Sequence, residues 1–211
     1  MESWSAIAQD ERAKREPSPL NGATVSPAPE PESERRFLVQ AGNNDWHSPP
    51  EIVCLARKLM GGIDLDPASC AEANLIIEAD KIYTGDENDD GLKEPWWGRV
   101  WLNPPYSYLA PKFITRFCNM YREKKISQGC LLLGSHHINT AWFDQVAALD
   151  PGPIICMFTK RLKFGNSTTH PTHGSMLVGV GVDVREFCRL FSPHGTTWQQ
   201  SYNWYRKRSH L

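Results

Sequence analysis

The feature that most constrains how this 211-residue chain folds is an alternation of strand-like and helix-like segments between residues 50 and 182. Short apolar runs bounded by polar or turn-forming residues predict strands at 63–66, 81–84, 99–102, 129–133, 154–158 and 176–182. Longer amphipathic segments predict helices at 50–59, 71–79, 111–124 and 139–149. Such an alternation favours an α/β fold with a mainly parallel sheet that helices cover on both faces.

The first 40 residues differ from the rest in composition. They are rich in Pro, Ser, Glu and Ala, and five prolines between residues 17 and 31 exclude a continuous helix. We therefore predict a disordered N-terminal tail at 1–42, one folded domain at 43–192 and a C-terminal extension at 193–211.

The formal net charge of -1 hides a gradient along the chain. Residues 150–211 hold eight Lys and Arg against three Asp and Glu, a net of +5, whereas residues 41–149 hold 10 against 14, a net of -4. The basic last third suits a face that contacts phosphates, although a solvated surface explains such a count equally well.

Cysteine spacing and hydropathy exclude several classes of protein. The six cysteines show no close pairing, so neither a disulfide framework nor a C-x-x-C zinc knuckle is indicated, and we expect reduced thiols. No uncharged apolar run approaches the ~20 residues of a membrane span, and no secretory signal pattern is visible. A cytoplasmic protein without membrane contact is expected.

The segment Asn103-Pro104-Pro105-Tyr106 directly follows a predicted strand, where α/β sheets bind their ligands. The amine of a base is a poor nucleophile because its lone pair is delocalised into the ring. The Asn103 side-chain oxygen and the Pro104 carbonyl suit both N–H groups of such an amine, and Tyr106 offers a ring for base stacking. The segment alone is equally compatible with a rigid turn.

Further motifs accompany this segment in chain order. They are Trp46-His47-Ser48-Pro49-Pro50-Glu51, Asp64-Leu65-Asp66-Pro67-Ala68-Ser69, Asp89-Asp90-Gly91-Leu92, Arg161-Leu162-Lys163-Phe164-Gly165 and Ser175-Met176-Leu177-Val178. Together with Asn103-Pro104-Pro105-Tyr106-Ser107 they resemble the phage-type (Dam-like) family of DNA adenine-N6 methyltransferases, with Ser48 in place of the usual Thr. The resemblance runs from residue 46 to about residue 181.

The resemblance implies a fold, a reaction and a set of ligands. The fold is a Rossmann-like methyltransferase fold, the methyl donor is S-adenosylmethionine, and the acceptor is the N6 amine of an adenine flipped out of double-stranded DNA. Enzymes of this kind serve phages and restriction-modification systems, so the expected location is the cytoplasm of a bacterial or phage-infected cell.

The resemblance also implies roles for particular residues. The catalytic loop comprises Asn103, Pro104, Pro105 and Tyr106. The implied cofactor contacts are Ser48 and Pro49 at a helix start whose free N–H groups suit a carboxylate, the strand-end residues Asp64, Asp66, Pro67 and Ala68 near the cationic groups, and Asp89 or Asp90 at the ribose.

Two departures from the usual methyltransferase pattern indicate a trimmed fold. The segment Asp66-Pro67-Ala68-Ser69-Cys70 contains no glycine, so its backbone approaches a cofactor differently from a glycine-rich loop. Only 36 residues separate Pro67 from Asn103, which is short for two intervening strand–helix units.

Several other side chains are candidates for DNA or cofactor contact. Lys160, Arg161 and Lys163 form the best basic cluster, and we assign them to DNA binding, with a solvated hairpin as the alternative. His136-His137 follow a predicted strand and suit phosphate or cofactor contact, but adjacent histidines face different ways, which argues against a metal site. For Trp96-Trp97, core packing is favoured over insertion into DNA.

Two other functions stay open. An Asn-Pro-Pro-Tyr loop also suits methylation of RNA bases or protein glutamine, since the planar amide poses the same nucleophilicity problem. A catalytically inactive DNA-binding relic is the other alternative, and the intact loop argues against it.

Overall fold

The computed structural model of the chain describes residues 47–86, 88–105, 108–165 and 173–199. These described residues belong to one compact unit. The predicted tail at 1–42 and the residues Trp46, Tyr106 and Ser107 lie outside the described residues.

The described residues form seven strands and five α-helices. The strands are β1 (Ile63–Asp66), β2 (Ala79–Ile82), β3 (Gly98–Leu102), β4 (Ile126–Gly134), β5 (Ile154–Phe158), β6 (Ser175–Val180) and β7 (Gly195–Gln199). The helices are α1 (Pro50–Met60), α2 (Ala71–Ile77), α3 (Ala110–Arg122), α4 (Ala141–Ala147) and α5 (Val184–Phe191). A 3-10 helix, Ser135–Asn139, follows β4. Each predicted segment overlaps an element of the predicted type.

Local sequence signals determine where the first helix begins and ends. Pro50 occupies the first turn of α1, where its missing amide hydrogen costs no hydrogen bond. Gly61 ends the helix with φ of 74°, a left-handed conformation that glycine adopts without steric cost.

The seven strands form one mixed sheet in the order β2-β1-β3-β4-β6-β5-β7. Strands β1 to β4 pair in parallel, whereas β6 is antiparallel to both of its neighbours and β7 is antiparallel to β5. The prediction of a mainly parallel sheet therefore holds for the first four strands only. The described part of the segment between β5 and β6 contains no crossover helix, and the chain returns antiparallel.

Helices cover both faces of the sheet, as predicted. One core lies between the sheet and helices α3 and α4, and includes Phe113, Phe117, Phe143, Leu131 and Leu133. The other lies beneath α1, α2 and α5, and includes Ile52, Ile77, Phe187, Cys130 and Leu132. Alternate residues of β4 enter opposite cores, which explains its uninterrupted apolar sequence.

Helix α5 and strand β7 follow the last predicted element, and β7 adds a strand to the sheet. The Asp183 side chain caps α5 by accepting a hydrogen bond from the Glu186 amide at 2.7 Å. Strand β7 pairs with β5 from Gly195 to Gln199, inside the range 193–211 that was predicted to be a C-terminal extension.

The strand order places a topological switch point between β1 and β3, at the edge of the sheet formed by the carboxyl ends of its parallel strands. Strand β2 lies on one side of β1 and β3 lies on the other, so the connections from their carboxyl ends diverge. Open α/β sheets bind ligands at such a switch point. Asp66 ends β1 and Asn103 directly follows β3, which brings both residues to this edge.

No helix among the described residues combines the length and the apolar character that crossing a membrane requires.

Candidate active site

Asp66 is a buried carboxylate at the end of β1. Its side chain is 1% exposed, and its Oδ1 accepts a hydrogen bond from the Ala68 amide at 3.1 Å. Burial raises the pKa of Asp66 to about 7, against the opposing effect of the hydrogen bond from the Ala68 amide. None of the ion pairs among the described residues involves Asp66. A cationic ligand would therefore supply the counter-charge that this carboxylate lacks.

The loop after β1 is held by the residue that follows β2. The Ser69 amide donates to the Tyr83 carbonyl, and the Tyr83 amide donates to the Asp66 carbonyl, each at 3.0 Å. Gly91 packs directly on this loop, since a Cβ atom at Gly91 would lie 1.9 Å from the Pro67 carbonyl oxygen. The motif at 64–69 and the turn at 89–92 are thus in contact.

Asp89 and Asp90 make their observed contacts close to their own turn. Asp89 accepts hydrogen bonds from the Lys81 ammonium at 2.8 Å and from the Thr84 amide at 2.9 Å. Asp90 accepts one from the Leu92 amide at 2.8 Å. These bonds shape the turn beside the loop after β1, and the predicted ribose contact of either residue stays a prediction.

Asp64 has different partners from those expected of a cofactor ligand. Its Oδ2 accepts from the Arg99 amide at 2.7 Å and from Arg99 Nε at 2.9 Å, while Oδ1 pairs with Arg99 Nη2. The Arg99 side-chain hydrogen bond is the largest cause that lowers the pKa of Asp64. Asp64 links β1 to β3, so we leave it out of the proposed cofactor site.

Asn103 and Ser48 connect two motifs that lie 55 residues apart. Asn103 Nδ2 donates a hydrogen bond to Ser48 Oγ at 3.2 Å. Ser48 is 4% exposed, and Pro104 is buried beside Asn103. Tyr106, the predicted stacking residue, lies outside the described residues. The sequence singled out both Ser48 and Asn103, but nothing in their spacing predicted this contact.

The start of α1 offers fewer amide donors than predicted. Pro49 and Pro50 carry no amide hydrogen, and the amides of Ile52 and Val53 both donate to the Pro49 carbonyl at 3.1 Å. The expectation that this helix end binds a carboxylate through several free N–H groups therefore loses its support.

The basic cluster adjoins the segment that carries Ser48. The Gly165 amide donates to the His47 carbonyl at 3.0 Å, and Phe164 is buried in the core beneath α1. The three basic side chains just before Phe164 are exposed: Lys160, Arg161 and Lys163. The motif at 161–165 thus meets the motif at 46–51.

A cluster of histidines lies at the carboxyl end of β4. The ring centroids of His136 and His137 are 3.8 Å apart, and those of His136 and His173 are 4.3 Å apart. The expectation that the adjacent histidines face different ways was wrong, because their rings lie against each other within the 3-10 helix at 135–139. Among the described residues no group of three or more His, Cys, Asp or Glu side chains is arranged to hold a metal ion.

The two adjacent tryptophans before β3 have different surroundings. Trp96 is buried, and its Nε1 donates to the Gly91 carbonyl at 2.6 Å. Trp97 is 43% exposed. The core-packing prediction is confirmed for Trp96 and wrong for Trp97.

Comparison with known proteins points to one family. The profile of the family described as DNA N-6-adenine-methyltransferase (Dam) matches residues 37–187, a range that includes every candidate residue discussed above. A curated DNA N-6-adenine-methyltransferase of Escherichia phage T1 is 32% identical over 103 residues. That match covers 47% of this chain and 39% of the phage protein, so the chain spans well under two thirds of that relative's length.

Proposed function

Because the chain belongs to the DNA N-6-adenine-methyltransferase (Dam) family, we propose that it transfers a methyl group from S-adenosylmethionine to the N6 amine of adenine in double-stranded DNA. The observation that carries this proposal is that Asp66 and Asn103 lie at the carboxyl ends of the neighbouring parallel strands β1 and β3, at the switch point of the sheet. Asp66 suits a cationic methyl donor, and Asn103 suits the amine that accepts the methyl group.

The proposed fold is a trimmed Rossmann-like methyltransferase fold. The parallel order β2-β1-β3-β4 with helices on both faces supports it. The antiparallel strands β6 and β7 are the departures from a purely parallel sheet of this kind.

Asp66 and the loop that follows it are the proposed cofactor contacts. S-adenosylmethionine supplies, when bound, an electrophilic methyl group on a cationic sulfur. A buried carboxylate without a basic partner fits such a cation, because each compensates the desolvation of the other. Pro67, Ala68 and the contacting turn at 89–92 would border the same ligand.

Asn103 and Pro104 are the proposed acceptors for the adenine amine. Two oxygens that accept its two N–H groups turn the nitrogen lone pair away from the ring system, which raises its nucleophilicity. Tyr106 is the proposed stacking partner of the flipped base, a contact worth ~1–3 kcal/mol in other nucleic-acid complexes. Pro105 keeps the loop rigid between them.

Lys160, Arg161 and Lys163 are the proposed contacts to the DNA backbone. Their exposure, and the hydrogen bond that ties Gly165 to His47, support a basic surface beside the segment that carries Ser48. Positive side chains in this position would hold phosphates near the target base.

Expression in a host that lacks adenine methylation tests the proposal. Direct sequencing of the host DNA is expected to find N6-methyladenine at one recurring sequence motif, and a vector without the gene serves as the control. Modified RNA or protein glutamine with unmodified DNA would favour another acceptor. S-adenosylmethionine that fails to bind in calorimetry would indicate an inactive DNA-binding relic.

A further inference from the structure

We propose that Ser48 is a positioning residue that determines which edge of the Asn103 amide faces the adenine amine. This inference rests on the proposed function and assigns Ser48 a role other than the predicted cofactor contact. The two residues meet through the hydrogen bond from Asn103 Nδ2 to Ser48 Oγ at 3.2 Å.

An asparagine amide has two edges of similar shape and opposite chemistry. The oxygen accepts hydrogen bonds, whereas the nitrogen donates them. Only the oxygen edge is useful toward the adenine amine, because the amine presents N–H groups. Rotation about the last side-chain bond of asparagine exchanges the edges, and this torsion has broad energy wells. Something must therefore select one orientation.

Ser48 is placed to make that selection. Its hydroxyl is buried, and an acceptor that binds Nδ2 directs Oδ1 to the opposite side of the amide plane. The selection requires the Ser48 hydroxyl hydrogen to point away from Asn103, because a hydroxyl that donated to Oδ1 would hold the inverted amide equally well.

The backbone on both sides of Ser48 is fixed. On one side the His47 carbonyl accepts a hydrogen bond from the Gly165 amide at 3.0 Å. On the other side Pro49 and Pro50 restrict the chain as it enters α1. The hydroxyl is therefore held at a set distance from β3 rather than carried on a freely moving loop.

The kinetic test compares Ser48→Ala with Ser48→Thr. The alanine variant is expected to lose about 2- to 12-fold in kcat, the range that corresponds to one hydrogen bond, while KM for DNA and the Kd for S-adenosylmethionine by calorimetry stay within about 2-fold. The threonine variant keeps a hydroxyl and is expected to restore kcat. Ser175→Ala is the matched control, since Ser175 is equally buried at the start of β6.

Repeating Ser48→Ala in a protein that already carries Asn103→Asp separates an effect on amide orientation from a general structural effect. In Asn103→Asp both terminal atoms are oxygens, so no donor edge exists to be misdirected. In the Asn103→Asp protein, Ser48→Ala is expected to lower kcat by less than 2-fold. The effects of Ser48→Ala and Asn103→Asp on kcat are then non-additive. A merely structural role predicts the same loss in both backgrounds.

A spectroscopic readout does not depend on turnover. The side-chain NH₂ group of Asn103, observed by NMR in the protein without cofactor, is expected to be protected from solvent exchange and to lose protection in Ser48→Ala but not in Ser48→Thr. This measurement also decides the matter if Asn103→Asp proves inactive.

The outcomes distinguish this inference from the proposed function. A wild-type protein that transfers no methyl group to DNA adenine would overturn both. An active wild type with normal kcat in Ser48→Ala, or with a loss of cofactor affinity that parallels kcat, would overturn the positioning role alone. Unchanged NH₂ exchange in Ser48→Ala would do the same.

Discussion

Two aspartates on β1 that stand two positions apart have opposite electrostatic surroundings. Asp66 is buried, its Oδ1 accepts a hydrogen bond from the Ala68 amide, and its pKa rises to about 7. Asp64 pairs with Arg99, whose side-chain hydrogen bond lowers the pKa of that carboxyl. The same residue type is therefore a buried carboxyl without a basic partner in one place and half of a structural ion pair in the other.

The raised pKa of Asp66 makes its ionisation oppose folding. The unfolded value is near 3.9 and the folded value is higher, so the folded state binds more protons between these pH values and stability falls as pH rises through them. Asp66→Asn keeps an oxygen for the Ala68 amide and removes this ionisation. We expect the stability gain of the variant over the wild type to grow from about pH 4 to about pH 7 and to stay level above that, at up to about 4 kcal/mol, in urea unfolding without cofactor.

Asp64→Asn is the matched control with the opposite sign. In the wild type the folded-state pKa of Asp64 is depressed. The ion pair with Arg99 therefore stabilises the protein above the unfolded pKa of Asp64, and this stabilisation is lost as pH falls through the folded pKa. We expect Asp64→Asn to be less stable than the wild type at pH 7, with a difference that narrows toward pH 3. If the stability of both variants relative to the wild type changed with pH in the same direction, these assignments would be contradicted.

Residue types at the candidate site were predictable, whereas their partners were not. Asp66 and Asn103 follow predicted strands, and parallel strands bring such residues to one edge of a sheet. The partnership of Asp64 with Arg99 and that of Ser48 with Asn103 span 35 and 55 residues. Contacts of this length depend on the three-dimensional arrangement of strands, which local patterns do not encode.

At the scale of elements, Gly91 joins the turn at 89–92 to the loop after β1. We expect Gly91→Ala to reduce S-adenosylmethionine affinity in calorimetry, because an added Cβ would lie 1.9 Å from the Pro67 carbonyl oxygen and displace a backbone loop. Overpacking of this kind also costs about 1–3 kcal/mol of stability.

Gly129→Ala controls for that loss of stability. A Cβ there would lie 2.4 Å from Phe117 ring atoms, inside the core between β4 and α3. This variant is expected to lose stability yet keep cofactor affinity. Equal affinity losses in the two glycine variants would show that cofactor binding follows global stability rather than the contact between turn and loop.

Most elements were predicted from their local patterns, whereas strand β7 and helix α5 were missed. Strand β5 has the predicted ends because its apolar run is bounded by polar or turn-forming residues. Strand β7 has a polar, partly exposed sequence at the edge of the sheet, and only its pairing with β5 identifies it. Helix α5 was also missed, although its eight residues are strongly amphipathic and Asp183 caps its start, so its sequence did carry a helix signal.

At the scale of the whole molecule, net charge gives no hint of a polyanionic partner, but local charge does. Replacing Lys160, Arg161 and Lys163 with Gln is expected to weaken DNA binding and to reduce the slope of log affinity against log salt by up to about 2.7, since each phosphate contact contributes about 0.9. S-adenosylmethionine affinity should not change. Fluorescence anisotropy over a range of salt concentrations measures the slope.

The matched control removes an equal charge from the opposite edge of the sheet. Arg122, Lys124 and Lys125 are exposed between the end of α3 and the start of β4. Their replacement with Gln is expected to leave the slope nearly unchanged. If both triple variants reduce the slope equally, DNA responds to overall charge and the surface at 160–163 has no special role.

Methyl transfer by Asn103→Ala, measured beside cofactor binding, is the most direct test of the site. The assay follows tritiated methyl groups from S-adenosylmethionine into unmethylated DNA and identifies the product base by mass spectrometry. The wild type is expected to form N6-methyladenine, and Asn103→Ala to turn over about 100- to 1000-fold more slowly, as when one well-placed hydrogen-bonding group is removed from other enzymes, with unchanged cofactor affinity. Near-normal turnover in Asn103→Ala, or loss of cofactor binding together with activity, would contradict the proposed role of the loop.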